Sequence, residues 1–371
     1  MERSGGDPCL YIRRSGIYAA LLACVVGCGP AEPPGHSVTR VEFTVDTVAT
    51  YTLEGRSLVD PDVLGDPDDI VVASSDRLLV VDDKAEKPLL VFDRFSGDLL
   101  KSAGAFGSGP GEVSRHSKLD VKTGKSEGWV LDIIHQSLTY VHLDTLVATG
   151  VLSPRSTRFG NSGGVVLNSA QMADGSILGW GVHPVEGLAM FDSSGAFEGA
   201  FGNAPPGADN VSMAIRNHAW RQTLRTSPDA ERLVAAYYNA DRLDIYDSGV
   251  LTHIVNGPEF FEPVYIADET PVGQRLALQP DNRSGYIDVD VTEEFIYALY
   301  SGKKRDETNR GTERGAYFLV FDWTGRPMAR LNVSGSPSFM TVSADNSELY
   351  VIFKSPVPQI IRFEIPESLV Q

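Results

Sequence analysis

Cysteine is scarce in this 371-residue sequence: Cys9, Cys24 and Cys28 are the only three, and residues 29–371 contain none. This excludes disulfides and thiol metal sites from everything after residue 28. Positive charge is also scarce, because 32 Lys and Arg oppose 49 Asp and Glu and give a formal net charge of −17. Nucleic-acid binding needs a basic face for the phosphates, so we expect no nucleic-acid partner.

No apolar run is long enough for a membrane-spanning helix, but a shorter one lies near the N-terminus. Basic residues precede an apolar run of about ten residues from Ile17 to Val26, the layout of a secretory signal. The run ends in Val25-Val26-Gly27-Cys28, which resembles a bacterial lipobox. The pattern predicts a lipoprotein signal peptide over 1–27, lipidation at Cys28, and a lipid anchor and flexible tether over 28–37. The alternative is a chance cysteine at the end of an ordinary signal.

The predicted location is the cell envelope, on the periplasmic or surface side of a bacterial membrane. Gly29 follows the cysteine and is not an acidic inner-membrane retention signal, which favours the outer membrane. Since Cys28 would be the first residue and the only cysteine of the mature chain, its sulfur would hold the anchor.

Two short patterns recur six times in a fixed order after residue 38. The first is a polar turn with an acidic third residue, such as Ser74-Ser75-Asp76; the second is an apolar–aromatic strand that ends in an acid, such as Asp93. The two acids of a copy are 17, 17, 18, 18, 29 and 19 residues apart. A unit of roughly 54 residues with about four short strands is typical of a β-propeller blade.

Six copies predict an all-β fold: a six-bladed β-propeller of four-stranded antiparallel blades over 38–371. The longer fifth copy indicates an insertion at 301–315. The last copy ends too early for a fourth strand, so we expect the N-terminal segment 38–53 to supply that strand and close the ring. A β-sandwich pair would show shorter and less regular spacing, and a helix over 219–238 would be interrupted by Pro228.

Three stretches carry a family resemblance: GSGPGE after VFDRFSGDLL, the SPD turn before RLVAAYYNADRLDIYD, and SPSFMTVSADNSELYVIFK with the final IIRFEIP. Through them the chain resembles bacterial six-bladed propeller lipoproteins of the TolB-like and NHL-like kind over most of 38–367. The resemblance implies a binding platform or scaffold. Some NHL-like relatives are lyases or other metal-dependent enzymes, so it also implies an alternative function.

The most glycine-dense run, GAFGSGPGE at 104–112, suggests at first a loop that binds phosphate. It lacks the GK[ST] ending of a nucleotide loop and the six-residue glycine pattern of a dinucleotide fold. Related runs at 199–207 and 256–260 follow equivalent strands. The run is therefore predicted to be a tight connection between two blades.

No cofactor is predicted from the remaining motifs. The acids between residues 60 and 69 lack the spacing of a known Ca²⁺ loop, and we interpret them as solvated turn residues. No GxSxG motif and no HxH or HExxH pair occurs, so the sequence identifies no catalytic residue and no metal ligand.

Propeller geometry narrows the candidate binding residues to one face. The connections between second and third strands and those between blades emerge together, and a ligand would bind at the channel mouth on that side. Five aromatic and charged side chains on this face are the candidate ligand- or partner-binding residues: Trp180, His183, Tyr237, Tyr238 and Arg310. The alternative is that the aromatics pack between blades and that the insertion carrying Arg310 is a solvated loop.

The sequence thus predicts an exported, lipid-anchored and monomeric propeller that binds without catalysis. Its partner would be a protein, a glycan or a small molecule. The alternative is a metal-dependent hydrolase or lyase with Ca²⁺ or Zn²⁺ in the central channel.

Overall fold

The computed structural model describes residues 37–122, 124–305 and 315–370. The predicted signal peptide and Cys28 lie outside them. No helix in this part of the chain is long and apolar enough to cross a bilayer. Three short strands precede the first blade: β1 (Thr39–Glu42), β2 (Ala49–Thr52) and β3 (Gly55–Ser57).

The following strands form six antiparallel blades. Blade 1 contains β4 (Pro67–Val72), β5 (Arg77–Asp82), β6 (Leu89–Asp93) and β7 (Leu99–Ala103). Blade 2 contains β8 (Ser117–Val121), β9 (Glu127–Asp132), β10 (Ser137–His142) and β11 (Ser156–Arg158). Blade 3 contains β12 (Val165–Gln171), β13 (Ile177–Val182), β14 (Leu188–Phe191) and β15 (Phe197–Phe201).

Blade 4 contains β16 (Gln222–Thr226), β17 (Arg232–Tyr237), β18 (Arg242–Asp247) and β19 (Val250–Asn256). A separate hairpin, β20 (Tyr265–Thr270) and β21 (Gly273–Leu278), follows it. Blade 5 contains β22 (Tyr286–Val291), β23 (Phe295–Tyr300), β24 (Tyr317–Asp322) and β25 (Pro327–Asn332). Blade 6 contains β26 (Phe339–Val342), β27 (Glu348–Phe353), β28 (Gln359–Glu364) and the N-terminal β3.

The helices of the described residues lie in the connections. They are α1 (Leu143–Thr149) in blade 2, α2 (Met213–Ala219) between blades 3 and 4, and α3 (Glu367–Val370) after the last strand, with single 3₁₀ turns at Val45–Thr47 and Pro61–Val63. The predicted insertion lies between β23 and β24, as expected. The hairpin β20–β21 was not predicted, and it explains the long interval between the turn acids of blades 4 and 5.

The predicted turn acids lie between the first and second strands in five blades, and in blade 2 the acid, Glu127, is the first residue of β9. Asp174 shows the chemistry, because its carboxylate accepts hydrogen bonds from the backbone N–H of Ser176 at 2.9 Å and from its hydroxyl at 2.7 Å. Such a bond stabilises the chain reversal locally. The second pattern marks the third strand of each blade, but in blade 2 its acid, Asp144, lies in the first turn of α1.

Closure of the ring by an N-terminal strand is confirmed. The closing strand is β3, which pairs antiparallel with β28 through Arg56 and Arg362, and not a strand within the expected 38–53. Residues 38–53 instead form β1 and β2, which pair in parallel with β19 and β25 and become fifth strands of blades 4 and 5. The N-terminal segment therefore contacts three consecutive blades.

Apolar side chains fill each of the six interfaces between neighbouring blades. The interface of blades 3 and 4, for example, packs Leu178 and Trp180 against Leu224 and Leu233. Equivalent clusters join the other five pairs, including blade 6 with blade 1, where Tyr350 and Ile360 meet Ile70 and Leu78. Second and third strands are mostly buried on both faces because each blade packs between two others, which explains their long apolar runs.

The first strand of every blade has one edge that faces the central channel and pairs with no other strand. In blades 1, 2, 4 and 6, side chains of the neighbouring blade accept hydrogen bonds from this edge. These bonds run from Leu119 N to Asp69 Oδ2 (2.9 Å), Leu224 N to Asn168 Oδ1 (2.7 Å), Met340 N to Asp288 Oδ2 (2.9 Å), Val342 N to Asp290 Oδ2 (3.0 Å) and Val72 N to Thr341 Oγ1 (2.9 Å). Unpaired backbone N–H groups would otherwise be buried at a cost.

Replacing Thr341 by Val should destabilise the fold by about 1–3 kcal/mol, because the change removes two buried hydrogen bonds at nearly constant shape. The hydroxyl donates to Asp290 Oδ2 at 2.7 Å and accepts from Val72 N, so it links blades 5, 6 and 1. Chemical unfolding of residues 37–371 measures the loss. The control Thr50→Val, on the exposed strand β2, should change stability by less than about 0.5 kcal/mol. Equal effects of the two variants would contradict the linking role.

Candidate functional site at the channel mouth

A cavity of about 250 Å³ opens where the six first strands converge. Each blade contributes a side chain to its wall: Asp69, Lys118, Asn168, Arg225, Asp288 and Phe339. Trp180 near the end of β13 and Arg221 just before β16 also line it. Several lining residues, among them Lys118, Gln222 and Phe339, lie at or near the beginning of their first strands, where the connections between blades arrive, whereas Asn168 and Arg225 lie deeper along theirs.

Arg225 is the central charge of this site. Its Nη2 lies 3.5 Å from Asp69 Oδ1, and its Nη1 donates to the carbonyl oxygen of Leu224 at 3.2 Å. Burial opposes the charge of the guanidinium, but Asp69, Asp288, Asp290 and Asp120 together raise the pKa of Arg225. The arginine thus compensates the carboxylates that bond the first strands.

Two channel carboxyls titrate far above their usual range. Burial raises the pKa of Asp288 to about 7, and the nearby Arg225 opposes this shift. Burial likewise raises the pKa of Asp120 to about 6, against the positive charges of Lys122 and Arg225. Near neutral pH these groups therefore carry less negative charge than the sequence suggests.

Of the predicted binding residues, Trp180 lines the cavity. Its indole Nε1 donates to the carbonyl oxygen of Asn217 at 3.1 Å, and 3% of the residue is exposed. Tyr238 is half-buried, with the guanidinium of the cavity residue Arg221 4.2 Å from its ring centre. Arg310 lies outside the described residues.

His183 and Tyr237 lie behind the cavity and not in its wall. His183 is fully buried, its Nδ1 is 3.3 Å from the amide nitrogen of Asn217, and burial lowers the pKa of its ring. The hydroxyl of Tyr237 donates to Asp244 Oδ2 at 2.8 Å, and its ring packs edge-on against Trp220. In this structure both residues help to hold the connections that surround the mouth.

Sequence reasoning missed the charged residues of the first strands. A signal was present, because Asp69, Lys118, Arg225 and Asp288 each interrupt a short β run, as in PDDIVV and YIDVDV. A charged side chain within the innermost strand of a blade can only point into the channel or into a blade interface. The blade register was needed to recognise these positions as equivalent.

The acids between residues 60 and 69 have separate partners and do not form one cluster. Their interpretation as solvated turn residues is wrong for Asp69, which is buried in the channel. Asp60 accepts from the N–H of Asp62 at a 3₁₀ turn. Asp66 and Asp68 form ion pairs with Lys354, with Asp66 Oδ1 2.8 Å from the ammonium nitrogen.

One group of three metal-type side chains occurs in the described part of the chain, at the rim: Asp68, Asp83 and His116. His116 Nδ1 lies 2.7 Å from Asp83 Oδ2, and burial together with Asp68 raises the pKa of Asp83, against the hydrogen bond from His116 N. The ammonium of Lys354 already supplies a positive charge to Asp68. The cluster is thus charge-compensated by the chain itself.

The glycine-rich run connects β7 of blade 1 to β8 of blade 2, as predicted. Glu112 folds back over it, so that its Oε2 accepts from the N–H of Gly109 at 2.8 Å and leaves no space for a side chain at Gly107. Gly104 and Gly111 have φ of 77° and 76°, values that glycine adopts without strain. A carboxylate of the chain thus occupies the place that a phosphate would need.

The high pKa of Asp288 predicts a pH-dependent stability that Asp288→Asn should remove. Between about pH 4 and pH 7 the folded chain keeps a proton that the unfolded chain has released, so the contribution of Asp288 to stability falls as pH rises through this window. The asparagine cannot ionise and can still accept from Met340 N. The free energy of unfolding of the variant minus that of wild type should therefore rise by about 2 kcal/mol from pH 5 to pH 8. Chemical unfolding of both proteins at the two pH values measures this difference.

The groups that face Asp288 are Arg225, Asp69 and Lys118, and all three are retained in this variant. Asp281→Asn, on an exposed turn, removes the same charge and serves as the control. A stability difference that is identical at pH 5 and pH 8 would contradict the raised pKa.

Comparison with known proteins agrees with this architecture. No curated protein matches the chain in sequence. A solved structure of a Bacteroides fragilis NCTC 9343 protein, described as exported, has a TM-score of 0.53 and 16% identity over 88% of this chain and 99% of its own. A DUF4221 family member from Bacteroides vulgatus ATCC 8482 has a TM-score of 0.52 and 11% identity over 85% and 98%.

Both similarities concern the fold alone. The family described as TolB-like 6-blade propeller-like matches residues 67–345, which include blades 1 to 5, the first strand of blade 6 and hence every first strand of the channel. The chain therefore belongs to the TolB-like six-bladed propeller family.

Proposed function

We propose that this protein is an exported, lipid-anchored propeller that binds a small polar molecule at its channel mouth without chemical conversion. The observation that carries the proposal is the cavity to which all six blades contribute a side chain. Its volume of about 250 Å³ is below the range of pockets for drug-sized ligands. We therefore infer a ligand of the size of one sugar or one amino acid, among the partners expected from the sequence.

Rigidity of the wall supports binding. Asn168, Asp69 and Asp288 each line the cavity and also accept a backbone N–H from the next blade, so their side chains are held in one position. A preformed polar site loses little conformational entropy when a ligand binds. The same bonds that hold the blades together thus orient the groups that a ligand would meet.

The chemistry of the wall favours binding over catalysis. The carboxylates of Asp69 and Asp288 are engaged by backbone N–H groups, and among the described lining residues none is a serine or cysteine that could act as a nucleophile. His218 is half-buried, and its partial burial lowers the pKa of its ring. The metal-dependent alternative gains no support from the rim cluster, because Lys354 supplies its positive charge.

Filling the cavity should abolish binding. Thr223 lines it and is half-buried, so Thr223→Phe would occupy the space with a ring. We expect a thermal-shift screen of residues 37–371 against single sugars, sugar acids, amino acids and small organic acids to yield ligands that stabilise the wild type. The same ligands should leave the melting temperature of Thr223→Phe unchanged.

Thr324→Phe places the same ring on an exposed turn and should retain the response. Ligands that stabilise Thr223→Phe as well as wild type would show that binding occurs elsewhere. A screen without any stabilising compound would overturn the proposed function.

Lipid anchoring at Cys28 is supported by the signal-like N-terminus and by the absence of later cysteines. Export is further supported by the description of the Bacteroides fragilis structure as an exported protein. The outer membrane is the proposed site, because Gly29 follows the cysteine.

Replacing Cys28 by Ser should abolish the anchor. We expect the full-length variant to lose incorporation of a fatty-acid label and to leave the membrane fraction, since no lipid can be attached to the hydroxyl in place of the thiol. Cys24→Ser, four residues earlier in the leader, should keep both properties. Unchanged labelling and fractionation of Cys28→Ser would exclude the proposed anchor.

A further inference from the structure

We infer that the molecule bound at the channel mouth is a small organic anion that presents a carboxylate to Lys118 and Arg225. This inference rests on the proposed function and adds the chemical class of the ligand. It is carried by an imbalance between hydrogen-bond donors and acceptors in the cavity wall.

The acceptors of the wall are largely in use. Asp69 accepts from Ile70 N at 3.0 Å with one oxygen and from Leu119 N at 2.9 Å with the other. Asp288 accepts in the same way from Val289 N at 3.0 Å and from Met340 N at 2.9 Å. Each oxygen of both carboxylates thus already accepts one hydrogen bond from the backbone, which holds the acceptors of the wall in fixed positions.

Two cationic side chains of the wall, Lys118 and Arg225, have more N–H groups than the hydrogen bonds described for them. Lys118 carries three N–H groups, and within the described residues its ammonium makes one hydrogen bond, to the carbonyl oxygen of Asp68 at 2.6 Å. The ring of Phe339 lies beneath it, 4.6 Å from the nitrogen, and fixes its position. No carboxylate lies within ion-pair distance of this ammonium in the same part of the chain, in contrast to Lys354.

Arg225 adds further donors beside Lys118. Its five N–H groups form a fixed fork, and in the described residues only the 3.2 Å bond to Leu224 O and the 3.5 Å contact with Asp69 engage them. A carboxylate matches the geometry of such a fork and makes short, charge-assisted bonds with it. The wall therefore offers donors that a carboxylate would satisfy.

Matched pairs of acid and neutral analogue test the inference. Galacturonate and galactose share a sugar ring, and succinate and succinamide share a carbon chain, so each pair differs only in its charged group. By calorimetric titration of residues 37–371, we expect at least one acid to bind at least about tenfold more tightly than its neutral analogue. Lys118→Gln should reduce this preference by about tenfold.

Two control variants separate charge from folding. Lys125→Gln removes the same charge from an exposed position outside the cavity and should keep the preference, and Lys118→Arg should restore most of it. Failure of both acids to bind more tightly than their analogues would overturn the anion inference. If galactose bound as tightly as galacturonate, or succinamide as tightly as succinate, the proposed binding of a small molecule would still stand. The screen with Thr223→Phe tests that function independently.

Discussion

The innermost strand of every blade has an edge that no other strand covers, and in blades 1, 2, 4 and 6 side chains from the neighbouring blade accept hydrogen bonds from that edge. Leu119 N bonds to Asp69 and Met340 N bonds to Asp288, so each link ties one blade to the next as well as satisfying a buried donor. Apolar packing between blades is extensive but has no direction. The side-chain-to-backbone bonds fix the rotation of these four blades about the channel and hence the geometry of the cavity.

The same links have an electrostatic consequence. Carboxylates are strong acceptors, but several of them around one narrow channel repel each other and are poorly hydrated. Arg225 compensates part of this charge, and burial keeps Asp288 protonated up to about pH 7. The carboxylates of Asp69 and Asp288 therefore accept hydrogen bonds from the backbone, whereas the cationic groups of Lys118 and Arg225 line the cavity. The structural solution to the open edges thus determines the chemistry that a ligand meets.

The sequence was sufficient for the fold because the repeat depends on local chemistry. Turn acids such as Asp174 bond their own backbone, and the apolar–aromatic third strands must be buried on both faces, so both leave a pattern at a fixed spacing. The closing strand β3 reads Gly-Arg-Ser, is exposed, and leaves no such pattern. Its pairing depends on β28, more than 300 residues away, which explains why the segment was predicted a few residues too early.

The candidate site was less predictable for a related reason. The face of the mouth follows from strand direction alone, and Trp180 was found in this way. Tyr237 and His183 lie on the same face but are held in the surrounding packing. Tyr237 bonds to Asp244 on the next strand, and His183 contacts Asn217, which is 34 residues away in sequence. Lys118 and Arg225 become neighbours only when six strands converge. No single window of sequence contains that information.

The N-terminal segment has a consequence for the order of folding. Strands β1, β2 and β3 are synthesised first, but their partners β19, β25 and β28 belong to the last three blades. A growing chain therefore keeps β1 unpaired until blade 4 is made, β2 until blade 5 and β3 until blade 6, so the ring is the last feature to form. A chain shortened before β28 would lose the seam that joins its two ends and would leave β3 without a partner. Completion of the ring is thus coupled to completion of the chain.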